Sequence, residues 1–187
     1  GGDAPLAIPH SRVHDVALAW GRTFVSEMPA EGADDEMEMQ PLLEALSVAV
    51  GLTELFGSLM APAVKNDQGN LSKVEKAWEA LQRPSSLRAL LESEVATGIH
   101  KPGGRGQPRT LKDPSAAIAL VWIRRSLAFQ TAMLGTVAED RSRPLSEIAT
   151  AAYQQHLERY HNWILKGTFK MGLNAMPTRE DFLTRLG

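Results

Sequence analysis

Four side chains that could bind a ligand lie close together near the end of the chain. Tyr153, Tyr160, His161 and Trp163 share one short segment, and they include both tyrosines of the protein. Apolar residues recur around them at helical spacing, which predicts one long helix over residues 145 to about 175. Such a helix packs a core with its apolar face and presents hydroxyl, imidazole and indole groups at a cleft mouth. The chemistry on offer is hydrogen bonding and ring stacking.

No recognisable catalytic or metal-binding motif accompanies this cluster. The chain contains no GxSxG, HExxH or GxxxxGK[ST] pattern and no cysteine, which argues against the hydrolases, zinc proteases and nucleotide-binding proteins that carry them. His10 and His14 stand four residues apart, as chelating pairs do, but two surface histidines near a frayed terminus explain them equally well. We therefore expect no enzyme activity, no metal and no cofactor.

Helical periodicity dominates the chain, and no alternating strand pattern is present. The Asn- and Gly-containing run at residues 66–70 is expected to separate two helices. Asp113 is expected to cap a long helix that starts at Pro114. The predicted helices cover residues 11–28, 39–63, 71–81, a short stretch after Pro84, 114–139 and 145–175, with a last turn after Pro177. The pattern predicts an all-α, two-layer helical sandwich.

The length and net charge of the chain limit the number of domains and the kinds of binding partner to expect. A chain of 187 residues that is 43% hydrophobic suits one domain with a substantial core. We expect residues 1–10 to be a disordered tail or a processing remnant and residues 11–187 to form a single domain. A net charge of -2 gives no general attraction to nucleic acid, and no apolar run approaches the ~20 residues that span a bilayer. The expectation is a soluble monomer.

Three segments, in this order, resemble the glycolipid transfer protein superfamily. They are APAVKNDQGNLSKVEKAW (residues 61–78), ALVWIRRSLAF (residues 119–129) and the C-terminal segment. The last matches the family's Tyr-His-x-Trp and Pro-x-x-x-x-Phe patterns at Tyr160, His161, Trp163, Pro177 and Phe182. With a weaker match at residues 41–58, the resemblance spans roughly residues 40–185. It implies a sandwich of about eight helices, with lipid chains between the layers and the head group at the surface.

The resemblance also implies a head-group site. Trp122 would stack on the first sugar, Asn70 and Lys73 would bond sugar hydroxyls, and Asp67 and His161 would hold the two sides of the ceramide amide. Without the resemblance, Trp122 is interpreted as a core residue and residues 66–70 as a turn. Lys73 is then a solvated surface charge and His161 a buried histidine.

One position departs from the family pattern. The family places its Asp four residues before the Asn, whereas here Asp67 stands three before Asn70 and Asn66 occupies the fourth. Helical geometry places Asn66 nearer the Asn70 face, while Gly69 permits a step that would bring Asp67 in. The stronger acceptor, Asp67, is the preferred candidate, with Asn66 as the alternative.

The branch of the family is predicted from the same positions. Members that carry phosphorylated sphingolipids have a cationic pair where this chain has Ile118 and Trp122, and a lysine in place of Asn70. Arg124 and Arg125 do not occupy the positions of that cationic pair. A neutral glycosyl head group is therefore favoured, and a ceramide-1-phosphate carrier is the alternative.

Two further groups complete the prediction. The membrane-docking residues are expected to be Trp163, with Tyr153 and Lys166 beside it. The lipid-chain pocket is expected to be lined by Leu55, Phe56, Ile118, Phe129, Leu157 and Phe169.

The sequence thus predicts a non-enzymatic carrier that transfers glycosphingolipids between membranes, cytoplasmic and peripheral at their surfaces. A lipid sensor or interaction module on the same fold is a further alternative. The sugar, the acyl length, the membranes served, any partner protein and membership of a longer protein are left open.

Overall fold

The computed structural model describes residues 11–23, 37–101, 103–105 and 110–187, and within these ranges the protein is all-α. Short 3-10 turns, Leu52–Phe56, Ser58–Met60 and Glu158–Tyr160, connect some of the helices. The helices of the described part are α1 Arg12–Gly21, α2 Met39–Gly51, α3 Ala61–Ala80, α4 Leu87–Ala96, α5 Ala116–Glu139, α6 Leu145–His156, α7 Trp163–Asn174 and α8 Arg179–Leu186. The predicted all-α class and the number of about eight helices are confirmed for this part of the chain.

Helix α3 is continuous from Ala61 to Ala80, so the predicted break at residues 66–70 is wrong. Glycine and asparagine in a helix interior cost only about 1 kcal/mol each or less, and packing against α5 outweighs that cost. The polar contacts of α3 show that the two helices run antiparallel. Asp67 meets Ser126, whereas Lys73, further along α3, meets Asp113 just before α5.

Helix α5 begins at Ala116 and is capped by Ser115, whose side chain accepts from the Ile118 N–H. The prediction of Asp113 as the cap is therefore wrong. The buried carboxylate of Glu94 explains the later start, because it accepts from the backbone N–H groups of Ala116 at 2.5 Å and Ala117 at 2.9 Å. A carboxylate at a helix N-terminus satisfies free donors and complements the helix dipole.

The predicted single helix over residues 145–175 is two helices. Helix α6 ends at His156, a 3-10 turn follows, and α7 begins at Trp163 with Asn162 as its cap, accepting from Leu165. The interruption separates the environments of neighbouring residues. His161 turns toward α5, while Trp163 is 82% exposed.

The core has two parts, and α5 contributes to both. Near the start of α5, Ala119 and Ile123 pack with apolar residues of α2, α3 and α4. Near its end, Phe129 and Met133 pack with Phe56 and with residues of α6 and α8. Helix α5 is therefore held on both sides by the core, and it positions side chains of the site described below.

Two stretches, Met39–Phe56 and Ala116–Glu139, are long and apolar enough to cross a membrane by length and composition. Both supply core residues, and core helices of soluble proteins have the same composition. The first helix ends at Gly21, earlier than predicted. The predicted tail at residues 1–10, with His10, lies outside the described residues, as do residues 24–36, 102 and 106–109.

Candidate functional site

A cavity of about 250 Å³ opens between α3, α5 and α7. One end is apolar, and the other carries a carboxylate, a carboxamide, an imidazole and an indole. The lining residues are Met60, Pro62, Ala63, Asn66, Asp67, Trp122, Ser126, Leu157, His161, Leu165, Thr168 and Phe169. Of the predicted head-group residues, the cavity brings together Asn66, Asp67, Trp122 and His161.

Asp67 is buried at 4% exposure and is held by hydroxyl donors. Ser126 Oγ donates to its Oδ2 at 2.6 Å, and Thr53 Oγ1 donates to the same oxygen at 3.3 Å. Burial raises the pKa of this carboxyl, and the hydrogen bonds from Ser126, Thr53 and Asn66 partly offset the rise. Both hydroxyl donors bond the same oxygen, Oδ2.

The polar chain continues inward from Asp67. Gln130 Nε2 donates to Thr53 Oγ1 at 2.9 Å, which orients that hydroxyl toward the carboxylate. Asn70, one turn along α3, is 4% exposed, and its Nδ2 has no acceptor among the described residues. A buried donor without a partner is costly, about 1–3 kcal/mol. Asn70 lies next to the cavity on α3 but is not among the residues that line it, so its role in binding a head group stays a prediction.

Trp122 forms an aromatic layer with residues of the turn before α7. Its ring stacks on His161 with centroids 6.1 Å apart and meets Tyr160 edge-on at 6.4 Å. The guanidinium of Arg125 lies over both Trp122 and Tyr160, at 4.7 and 3.6 Å from the ring centroids. Such cation–π contacts fix the indole and engage the arginine.

His161 is supported from behind by Tyr153. The Tyr153 hydroxyl and His161 Nδ1 lie 3.2 Å apart, and Phe169 stacks on Tyr153 at 4.9 Å. Burial raises the pKa of Tyr153 to about 12, whereas burial and the nearby Lys166 lower the pKa of His161. At neutral pH the phenol keeps its proton and the imidazole is uncharged.

Tyr153 was predicted to dock on membranes, and this prediction is wrong for the described structure. The side chain is 4% exposed because it packs between His161 and Phe169. Trp163 differs, at 82% exposure, and its neighbours Ile164 and Met171 are 55% and 64% exposed. Helix α7 therefore presents an apolar outer surface.

Lys166 and Lys73 are both ion-paired. Lys166 Nζ lies 3.9 Å from Glu158 at the surface beside Trp163. Lys73 Nζ lies 2.7 Å from Asp113 Oδ1, on the same α3 face as Asn66 and Asn70 but outside the cavity wall.

The predicted lipid-chain residues divide into two groups. Leu157 and Phe169 line the cavity. Leu55, Phe56 and Phe129 are buried in the adjoining core, and Ile118 is half-buried one turn before Trp122. Their role as a lipid pocket stays a prediction.

Sequence reasoning missed Ser126 and Thr53 as partners of Asp67. Ser126 stands four residues after Trp122, hence on the same helical face, and that spacing was a usable signal. Thr53 had none, because its approach depends on how the turn after α2 folds. The buried His100, paired with Glu94 at 3.1 Å, was also not anticipated. Within the described ranges no group of three or more potential ligands is placed to hold a metal ion.

Comparison with known proteins gives consistent matches. The family model described as "Glycolipid transfer protein (GLTP)" matches residues 37–187. The chain is similar to a glycolipid transfer protein of Danio rerio, 31% identical over 161 residues that cover 82% of this chain and 73% of the relative. In fold it is similar to the fungal glycolipid transfer protein HET-C2, with a TM-score of 0.70, 22% identity and coverage of 91% and 81%. It is also similar to human ceramide-1-phosphate transfer protein bound to 12:0 ceramide-1-phosphate, with a TM-score of 0.73, 17% identity and coverage of 94% and 79%.

Proposed function

Because the chain belongs to the glycolipid transfer protein family, we propose that it carries glycosphingolipids between membranes without catalysing a reaction. The resemblance found in the sequence is confirmed, and so is the two-layer helical sandwich of this family. The similar proteins include a glycolipid carrier and a ceramide-1-phosphate carrier. The choice between these head groups therefore depends on the residues of this chain.

The observation that carries the proposal is the order of chemical groups along the antiparallel pair α3 and α5. Leu157, Leu165 and Phe169 supply apolar walls, and Asp67 and His161 line the same cavity. The Phe169 ring lies 4.9 Å from His161, and His161 in turn stacks on Trp122 at 6.1 Å. Trp122 and Asn70 come one turn further along their helices, and Lys73 lies beyond them. A sphingolipid has the same order of parts: hydrocarbon, amide, first sugar, outer hydroxyls.

Asp67 and His161 are suited to hold an amide from both sides. The carboxylate accepts from an amide N–H. The Tyr153 hydroxyl lies 3.2 Å from His161 Nδ1. In the tautomer that carries its proton on Nε2, the imidazole accepts from Tyr153 and can donate to the amide carbonyl. A neutral histidine is sufficient for this role, in agreement with its lowered pKa.

The residue types at positions 70, 118 and 122 favour a sugar over a phosphate. The faces of the Trp122 indole suit the C–H surface of a pyranose, and Ile118 and Asn70 add no charge. Arg125, the nearest cation, already lies over the Trp122 and Tyr160 rings. A dianionic phosphate would gain little here, since it requires several unpaired donors.

A carrier without catalysis is sufficient, because the barrier to lipid movement is hydration of the chains. Exposing one CH₂ group to water costs about 0.8 kcal/mol, so two chains cost well over ~20 kcal/mol. The cavity of about 250 Å³ is smaller than the roughly 300–1,000 Å³ of sites that enclose drug-sized ligands. We infer that α7, whose first two turns carry no buried residue, moves outward to admit the chains and meets the membrane through Trp163.

Transfer between vesicles tests the proposal. Fluorescent galactosylceramide and ceramide-1-phosphate with the same acyl chain are moved from donor to acceptor phosphatidylcholine vesicles. We expect galactosylceramide to move at least about tenfold faster, which corresponds to about 1.4 kcal/mol. Equal or faster movement of the phosphate lipid would refute the glycolipid assignment and support the alternative carrier. Asp67→Val serves as the matched inactive protein.

A further inference from the structure

The ion pair between Lys73 and Asp113 joins α3 to the segment just before α5, further along α3 than the cavity. The Lys73 ammonium is 2.7 Å from Asp113 Oδ1, and the side chains are 35% and 56% exposed. Exposed pairs of this kind add little to stability. The main physical consequence is electrostatic, because the carboxylate cancels the charge of the lysine.

The pair is in line with the proposed head-group residues. Positions 66, 70 and 73 of α3 fall on one face, and the axial rise from Asn66 to Lys73 is about 10 Å. A head group that leaves the cavity past Asn70 and Trp122 therefore reaches Lys73 and Asp113 next. The pair comes from segments 40 residues apart in sequence, so its position is set by the packing of α3 on α5.

We propose that Asp113 is a specificity-determining residue that makes the surface beside Lys73 select uncharged sugars and reject sulfated or phosphorylated ones. The inference rests on the proposed function. The ammonium keeps N–H donors, and the carboxylate keeps Oδ2 as an acceptor, so the pair matches a sugar diol, in which each hydroxyl both donates and accepts. A sulfate ester offers acceptors only, and it would meet a carboxylate and a lysine whose charge is already neutralised.

A matched pair of lipids separates charge from every other property. Galactosylceramide and 3-sulfogalactosylceramide with the same acyl chain differ only in the sulfate. Their transfer rates are measured between the same phosphatidylcholine vesicles, and the sulfated-to-neutral ratio is compared between proteins. Using a ratio cancels changes in vesicle binding that affect both lipids.

We expect the wild-type ratio to be well below one. Asp113→Asn removes the negative charge that lies 2.7 Å from the Lys73 ammonium and should raise the ratio about fivefold. Adding Lys73→Met to Asp113→Asn should return the ratio to near the wild-type value, because the released cation is then absent. The control, Glu147→Gln, neutralises an exposed carboxylate that is 3.8 Å from Arg143, beyond the far end of α5, and should leave the ratio unchanged.

The outcomes distinguish this inference from the proposed function. If the wild type moves neither lipid, the proposed function fails and the inference fails with it. If galactosylceramide moves and Asp113→Asn leaves the ratio within twofold of wild type at an unchanged melting temperature, the inference alone is overturned. A ratio that rises equally with Glu147→Gln overturns it too, since net charge would then explain the effect.

Discussion

Replacing Ser126 by alanine should destabilise the protein and weaken lipid transfer, because Ser126 is the closest donor to the buried carboxylate of Asp67. The distance from Ser126 Oγ to Asp67 Oδ2 is 2.6 Å, and the remaining hydroxyl donor, on Thr53, is further away at 3.3 Å. In Ser126→Ala the carboxylate keeps its burial and loses its best hydrogen bond.

The magnitude follows from the charge of the acceptor. Hydrogen bonds to charged groups contribute about 1.5–3 kcal/mol, so we expect a loss of about 2 kcal/mol in the free energy of unfolding at neutral pH. For a chain of this size, that loss corresponds to a melting temperature lower by about 4–8 °C. The pKa of Asp67 should rise further, because Ser126 is the foremost of the interactions that lower it.

The direction in which stability changes with pH follows from the pKa shift of Asp67. Burial raises the folded pKa of Asp67 above its ordinary value of 3.8, so the folded state binds this proton more tightly than the unfolded state. The resulting stabilisation is present in full below pH 3.8 and is lost as the pH rises through the folded pKa. Ser126→Ala should therefore cost less stability in acid than at pH 7, and transfer should require a higher pH than in the wild type.

The assay combines thermal unfolding with galactosylceramide transfer as a function of pH. Ser142→Ala is the matched control, because it removes a Ser–Asp hydrogen bond of 2.7 Å to Asp140 at the surface, and it should change neither quantity appreciably. If Ser126→Ala melts like the wild type and keeps its pH profile of transfer, the carboxylate does not depend on this hydroxyl and our account of the site is wrong.

Further predictions concern the other residues of the site. Trp122→Ala should slow glycolipid transfer at least about tenfold by removing the stacking surface, a loss of about 1.4 kcal/mol or more, and an unchanged rate in a folded variant would reduce Trp122 to a packing role. Trp163→Ala should lower the fraction of protein that co-sediments with vesicles more than it lowers lipid binding in solution; an unchanged bound fraction would contradict docking through α7. Asp67→Val should abolish transfer while Asn66→Ala keeps most of it, and the reverse ranking would make Asn66 the amide acceptor. The pKa of His161 is lowered in the folded state, so its contribution to stability is present above pH 6.5 and is lost as the pH falls through the folded pKa. When the pH is lowered below 6.5, the free energy of unfolding measured with denaturant should therefore decrease less for His161→Gln than for the wild type.

Local sequence signals predicted the helices well where one side of each helix faces a core. The helix predicted at residues 114–139 corresponds to α5, which begins at Ala116. The helix predicted at residues 39–63 corresponds to α2 only as far as Gly51, after which 3-10 turns follow. The same local signals gave wrong positions for several helix ends. Residues 66–70 have turn composition, yet they lie inside α3 because contacts with α5 outweigh a small propensity cost. No Gly or Pro marks the interruption between α6 and α7, which the sequence therefore concealed.

The sequence by itself determined the all-α class and the family, because periodicity and motif spacing are properties of the chain. It also singled out Asn66, Asp67, Trp122 and His161, which line the cavity, but not Ser126 or Thr53. Only the tertiary structure decided which of them meet. It brought Ser126 to Asp67 across 59 positions and Asp113 to Lys73 across 40, and it buried Tyr153 behind His161 instead of leaving it at the surface. These pairings depend on the axial register of α3 on α5 and on where α6 ends. Register is set by packing of side chains that are distant in sequence, and no local pattern encodes it.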